Sequence, residues 1–228
     1  MTKTLNPFDD AGHVAMYAER VAQMVPAYRD IHRLATVLID ERAPSDARIL
    51  VLGAGGGLET KAFAEAQPGW TFDAVDPAAT MLDLAAQNLG PHAARVRMHH
   101  GYIDDAPPGP FAAATSLLTL HFLPYEQRRD TAAQVRQRLV PGAPFVVAHL
   151  SFPQSDDAER ELWMGRHVAN LVAAGIDPDD VVKARNAITT DVPVLSPEQD
   201  RAVLLEAGFT GVTEFFSAFT FRGWVGYA

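Results

Sequence analysis

The stretch from Arg48 to Asp76 constrains this chain more than any other. Ile49-Leu50-Val51-Leu52 is a continuous apolar run, as expected of a parallel strand buried on both faces. Gly53-Ala54-Gly55-Gly56-Gly57 follows, then a helical segment from about Leu58 to Ala66. A second apolar run starts at Trp70 and ends in an acid, Asp76. Strand, glycine turn, helix and strand in this order make the first half of a ligand-binding βαβ unit. The glycines permit positive φ and remove Cβ atoms, so a ligand can lie against the backbone. The helix aims its free N–H groups and the positive end of its dipole at the same place.

Asp76 stands 21 positions after Gly55, at the tip of the second strand, where its carboxylate can accept both hydroxyls of a ribose. With a reference pKa of about 3.9 it is ionised near neutrality. A dinucleotide fingerprint would require a small residue where Leu58 stands, and no G-K-[ST] follows to make a P-loop. The G-x-G-x-G spacing of Gly53, Gly55 and Gly57 is similar to the first motif of class I S-adenosylmethionine (SAM) methyltransferases. A nicotinamide cofactor stays as the alternative, and so does a tight strand–helix turn with no ligand. The latter explains one or two glycines, but not four within five residues together with Asp76.

The rest of the chain completes a sheet. Residues 10–42 carry apolar positions at helical spacing, from Val14 to Ile39, with Pro26 set to kink or split the helix just before Tyr28. After Asp76, Pro77 is read as the first position of a helix that runs through Met81 to about Leu89. Strands are expected at Arg95–His100, Phe111–Leu120 and Phe145–Leu150, with a helix from Tyr125 to Leu139 before the last. Residues 151–193 interrupt the alternation with two helices. In the first, Leu162, Trp163, His167, Leu171 and Val172 are the expected burying positions. Ser196-Pro197-Glu198-Gln199 opens a further helix, and Val212–Phe216 with Phe219–Tyr227 closes the chain as an antiparallel pair. The expectation is one α/β domain over 1–228, a doubly wound, Rossmann-like seven-stranded sheet with a helical cap insertion. Ligands of such sheets bind beyond the carboxyl ends of the strands. There Gly53–Gly57, Asp76, Tyr102-Ile103 and Thr119–His121 converge.

Composition narrows the function. At net charge −9 over 228 residues, with no basic patch, a nucleic-acid backbone is an unsuitable direct partner. No cysteine is present, which excludes disulfides and thiolate metal sites. Adjacent His99 and His100 face opposite ways on a strand, and no H-E-x-x-H spacing occurs, so no metal is expected. No apolar signal core and no membrane-length run is found, and a cytoplasmic enzyme is expected. The amphipathic first helix either covers the pocket or pairs with a second subunit as a homodimer.

These pieces identify a resemblance. Val51–Gly57, Val75-Asp76, Arg138-Leu139-Val140-Pro141-Gly142 and Leu205-Glu206-Ala207-Gly208-Phe209 together resemble the class I SAM-dependent methyltransferases. A narrower likeness runs through Glu19–Ala22, Val25–Tyr28, Leu120–Leu123, Leu150–Phe152, Ala184-Arg185 and the aromatic end Phe215–Phe221. These are similar to the carboxy-SAM synthase family, which converts SAM to its carboxylated form with prephenate in tRNA wobble-uridine modification. The resemblance implies that Tyr28, Gly53, Ala54, Gly55, Asp76, Pro77, Tyr102 and Ile103 line the cofactor and that Arg185 meets a carboxylate. Gly57, Met81 and Thr119 lie on the same segments. The family's acid at position 102 is Tyr here, so Asp104 would have to substitute. Its Asn and Gln are replaced by Leu117 and His121, and the acid many methyltransferases carry at position 51 is Val.

A SAM-dependent methyltransferase acting on a small acidic or amphiphilic acceptor, with S-adenosylhomocysteine as product, is therefore the first reading. A carboxy-SAM synthase and a non-catalytic SAM-binding module are the alternatives. His121 at a strand end is the candidate base, since a reference pKa of about 6.5 permits a neutral ring. Arg185 is the candidate carboxylate clamp through two parallel hydrogen bonds.

Overall fold

The computed structural model describes residues 17–228. The expected helical positions from 10 to 16, Val14 among them, lie outside the described residues. The elements are α1 (Tyr17–Met24), α2 (Tyr28–Asp40), β1 (Arg48–Leu52), α3 (Leu58–Ala66), β2 (Thr71–Asp76), α4 (Ala79–Leu89), β3 (Val96–His100) and β4 (Ala113–Leu117). They continue with α5 (Tyr125–Gln137), β5 (Pro144–Leu150), α6 (Asp157–Ala173), α7 (Pro178–Thr190), α8 (Pro197–Glu206), β6 (Thr210–Ala218) and β7 (Phe221–Tyr227).

Among the described residues the strands form one seven-stranded sheet in the order β3-β2-β1-β4-β5-β7-β6. β1 to β5 are parallel, and β7 runs antiparallel to both β5 and β6. The order reverses at β1, which puts the switch point between β1 and β4. β1, β4 and β5 are buried almost end to end because helices cover both faces. One apolar cluster joins Ile49, Val51 and Phe72 to α2 and to the cap residues Met164 and Ile188. The other joins Leu50, Phe145 and Trp224 to α5 and α8.

Several expected boundaries shift for identifiable reasons. Pro26 does split the first helix: Ala27 takes a left-handed φ of 54° between α1 and α2. Pro77 is not the first residue of α4. The N-cap is Ala78, whose N–H is taken by Asp76 Oδ1 at 2.9 Å, so the acid holds the chain extended through Pro77. β4 stops at Leu117 rather than Leu120, because Leu118 turns to φ 58° and Leu120–Phe122 forms a 3₁₀ turn. In α6 the buried stripe is Met164, His167 and Leu171, at helical spacing. Leu162 and Val172 lie off that stripe and are exposed.

α6 and α7 leave the carboxyl end of β5 and return at Leu195, which bridges to Ser151. They are tied down by His167 Nδ1 and Thr220 Oγ1 (2.8 Å), Asn170 Nδ2 donating to the Met24 carbonyl (3.3 Å), and an Arg20–Asp180 ion pair (3.0 Å). The cap and the N-terminal helices thus share one side of the molecule. Among the described residues no helix is long and apolar enough to cross a membrane.

Candidate functional site

The glycine turn is shaped first by the protein's own packing. Gly53, Gly55 and Gly57 all have positive φ. A Cβ on Gly53 would stand 2.1 Å from Thr119 Oγ1, and one on Gly57 would stand 2.9 Å from the Ala85 Cβ. The turn is stitched to β2: the Gly53 and Ala54 N–H groups donate to the Val75 carbonyl, and the Gly55 N–H donates to Asp76 Oδ2 at 2.8 Å. With Ala78 on Oδ1, each Asp76 oxygen accepts one backbone N–H and keeps lone-pair capacity for a ligand. Burial raises the Asp76 pKa above the usual carboxylate value, while the Ala78 and Gly55 N–H groups and His100 pull against that. Gly57 offers no side chain to cap α3, so the first-turn N–H groups of that helix remain open to a ligand.

On the β4 side, the Thr119 hydroxyl lies 3.3 Å from the Gly53 carbonyl and 3.1 Å from that of Leu117. Leu118, in a left-handed conformation that costs a side chain about 1–3 kcal/mol, is held by its N–H on the Ala148 carbonyl at 2.6 Å. Tyr28, edge-on to His32 with ring centroids 4.6 Å apart, closes the space from α2. Tyr28, His32, Ala54, Glu59 and Leu118 enclose a cavity of about 10 Å³ beside the glycine turn.

The remaining expected residues divide. Met81 is buried against Ala78 at the start of α4. Pro77 presents its carbonyl to His100 Nε2 at 3.0 Å, while His99 turns the other way to Asp73 at 2.7 Å. Tyr102 is 64% exposed beyond β3, and Ile103 is buried beneath it. Asp104 is exposed in the middle of the 3₁₀ turn Ile103–Asp105. Asp105 shapes that turn, accepting the Tyr102 N–H at 2.9 Å.

His121 is buried in the 3₁₀ turn, where its Nδ1 faces the Leu150 N–H at 3.4 Å. Burial, then His149 and Arg128, hold its pKa well below the ordinary value, so the ring is neutral. With Nδ1 accepting, the single proton belongs on Nε2, which makes the ring a donor in this geometry. Arg185 does not join the site. It is exposed and pairs with Glu161 at 2.9 Å, tying α7 to α6.

Two groups escaped the sequence reading. Arg128 is fully buried. It binds Asp200 of α8 and donates to the Leu123 (3.0 Å) and Pro193 (3.1 Å) carbonyls, fixing the turn after β4 to the end of the cap. His149 Nε2 lies 3.0 Å from the same Asp200 oxygen. Neither residue sits in a motif, and 72 positions separate the pair. The second group is Glu59 with His32, both buried; a Glu two positions after Gly57, in the first turn of α3, was the available signal.

The strand order, the reversal at β1 and the antiparallel β7 inserted between β5 and β6 decide the architecture. The chain has the fold of a class I methyltransferase. Residues 49–142 match the model of a methyltransferase domain family. Among solved structures, human N-acetylserotonin methyltransferase in complex with SAM superimposes with a TM-score of 0.66 at 14% identity, over 96% of this chain and 57% of that one. An O-methyltransferase family protein from Burkholderia thailandensis does so at 0.62 and 12%, over 87% and 55%. The methyltransferase fold here thus spans a little over half the length of these two proteins. In sequence it resembles carboxy-S-adenosyl-L-methionine synthase from Ectopseudomonas mendocina, 29% identical over 93% of this chain and 89% of the relative. The counterpart from Stutzerimonas stutzeri is 28% identical, over 90% and 86%.

Proposed function

We propose that the chain is a SAM-dependent methyltransferase acting on a small molecule. The observation that carries this reading is the junction of β1 and β2, where the buried Asp76 carboxylate sits on the Gly55 amide beside an uncapped helix N-terminus. The residues present fit the cofactor. Asp76 has lone pairs left for the ribose hydroxyls, Tyr102 and Ile103 stand where an adenine beyond β3 would lie, and Gly53 to Gly57 leave the backbone bare. When bound, SAM supplies a methyl group on a sulfonium that is already activated by its charge.

Little more is asked of the protein than alignment, which supplies roughly 7–11 kcal/mol of the barrier. A general base adds about 10²–10⁴ in rate. His121 would serve as that base only by giving up the Leu150 N–H. An amphiphilic or acidic acceptor would approach from the side of the cap, α6 and α7, where Trp163 is half-buried.

The carboxy-SAM synthases that match over nine-tenths of the chain favour a second reading, carboxylation of SAM with prephenate. Leu117 and His121 in place of that family's Asn and Gln, and Arg185 engaged at the surface, weigh for methyl transfer. Mass spectrometry of the ligand released from the purified chain, followed by calorimetry with SAM and S-adenosylhomocysteine, tests both. Release of either compound supports the first reading, and release of the carboxylated form supports the second. No heat and no melting shift with saturating SAM or S-adenosylhomocysteine would overturn both.

A further inference from the structure

None of the steps above uses the carboxyl of Glu59. It stands in the first turn of α3, is 6% exposed, and accepts the Thr115 hydroxyl at 2.8 Å. Thr115 is in register with Val51 on β1, so the acid reaches from the helix a spot to which the strand brings no charge. It also lines the cavity of about 10 Å³ beside the glycine turn, room for one water- or ammonium-sized group. Thr115 satisfies one of the roughly four acceptor positions of a carboxylate. To be ionised, a buried acid with so little support requires a further partner.

Sheet order says which part of the cofactor reaches that cavity. On the cofactor reading above, along β3-β2-β1-β4 adenine would fall at Tyr102 and Ile103 and the ribose at Asp76. The amino-acid end beyond the sulfur then falls at β1 and β4, where Gly53, Ala54 and Leu118 bound the cavity. We propose that Glu59 is the anchor for the ammonium group at the amino-acid end of the cofactor. This rests on the cofactor reading above and assigns one of its contacts.

The surrounding charges agree. From α2 the cavity receives Tyr28 and His32, and burial lowers the His32 pKa to about 4, so the ring is neutral. From β2, Asp76 adds negative charge near Glu59. β1 and β4 contribute Val51, Thr115 and Leu117, none of them titratable. On α4, Asp83 is exposed; Arg95 binds the far end of α3 through the Ala64 carbonyl, with His92 against it. Lys61 and Glu65, on α3 itself, line the outer groove toward α2. Among the described residues, no lysine or arginine lines the cavity. Burial therefore pushes Glu59 up to about 8, and the acid holds a proton at neutral pH. An ammonium would supply the missing cation and drive that proton off.

The test is calorimetry with S-adenosylhomocysteine at pH 7 in two buffers of different ionisation enthalpy. The unsubstituted chain should release close to one proton on binding, and its affinity should rise with pH up to the free Glu59 value. Glu59→Gln keeps an oxygen for Thr115 and the neutral state, so its melting should hold. Its proton release should vanish. Its affinity for SAM and S-adenosylhomocysteine should fall roughly 10- to 100-fold. Binding of 5′-methylthioadenosine, which lacks the amino-acid end, should be unchanged. Unaltered affinity in Glu59→Gln, an equal loss for methylthioadenosine, or no proton release by the unsubstituted chain would each overturn the proposal. Absence of binding by the unsubstituted chain would instead sink the cofactor reading, and this contact with it.

Discussion

Arg128→Met would test how the site is held together. The guanidinium is completely buried, pairs with Asp200, and donates to the Leu123 and Pro193 carbonyls. Methionine fills much of the same volume but leaves the buried Asp200 carboxylate without the guanidinium, with the His149 ring at 3.0 Å still beside it. Breaking one side of a buried pair costs about 3–5 kcal/mol. Each orphaned carbonyl adds about 1–3 kcal/mol where water cannot reach it, a term that overlaps with the first. For a chain of this size, a loss of roughly 4 kcal/mol lowers Tm by about 8–16 °C. Urea denaturation at neutral pH, read as a shift in midpoint at constant slope, gives the number. Arg128→Met/Asp200→Leu removes both charges and should regain a large part of the loss, because the penalty is the buried acid deprived of its guanidinium rather than the missing bridge. Hydrogen exchange should quicken at residues 118–123 and 193–195 in the single variant, since Arg128 joins those segments. A loss below about 1 kcal/mol, or a double variant no more stable than the single one, would refute the reasoning.

Stability should peak between about pH 6 and 7, read as Tm against pH. Burial lowers the pKa of His32 and His167 to about 4, so the unfolded chain binds more protons between about 4 and 6.5. Stability rises with pH across that window, by up to roughly 3 kcal/mol per ring. Glu59 has the opposite sign: with a folded value of about 8, its contribution is complete below the unfolded value and falls as pH climbs to about 8. Glu59→Gln should flatten the alkaline side and steepen the rise between about pH 4.5 and 6.5, and an unchanged alkaline fall would contradict the assignment. Gly53→Ala should lose about 1–3 kcal/mol from its φ of 76° alone, plus the clash with Thr119, and should abolish cofactor heat in calorimetry. Asp76→Asn retains one acceptor for two backbone N–H groups, so cofactor affinity and denaturation midpoint should fall together; unaltered affinity would remove its ribose role. Arg185→Ala should shift stability by less than about 1 kcal/mol, as an exposed pair implies, and leave turnover intact. A selective loss of an acidic ligand would return the residue to the site.

What could be read from the residues in order was local. The run Ile49–Leu52, the glycine turn and the helix that Ser196 caps before Pro197 each carry their geometry within a few positions, and they appear as expected. Alternating elements also fixed the fold class, because parallel strands need crossover helices. The sequence left open which long-range partner each polar side chain would choose. Asp76 takes two backbone N–H groups and so pushes α4 past Pro77. Arg185 meets Glu161 on the neighbouring helix. Arg128 and Asp200 find each other across the sheet's flank. Glu59 turns inward onto Thr115 although its place on a helix after a loop suggests solvent. The physical reason is common to all four. Apolar periodicity is set by neighbours along the chain, whereas the partner of a polar side chain depends on which distant groups the packed layers bring within about 3 Å of it.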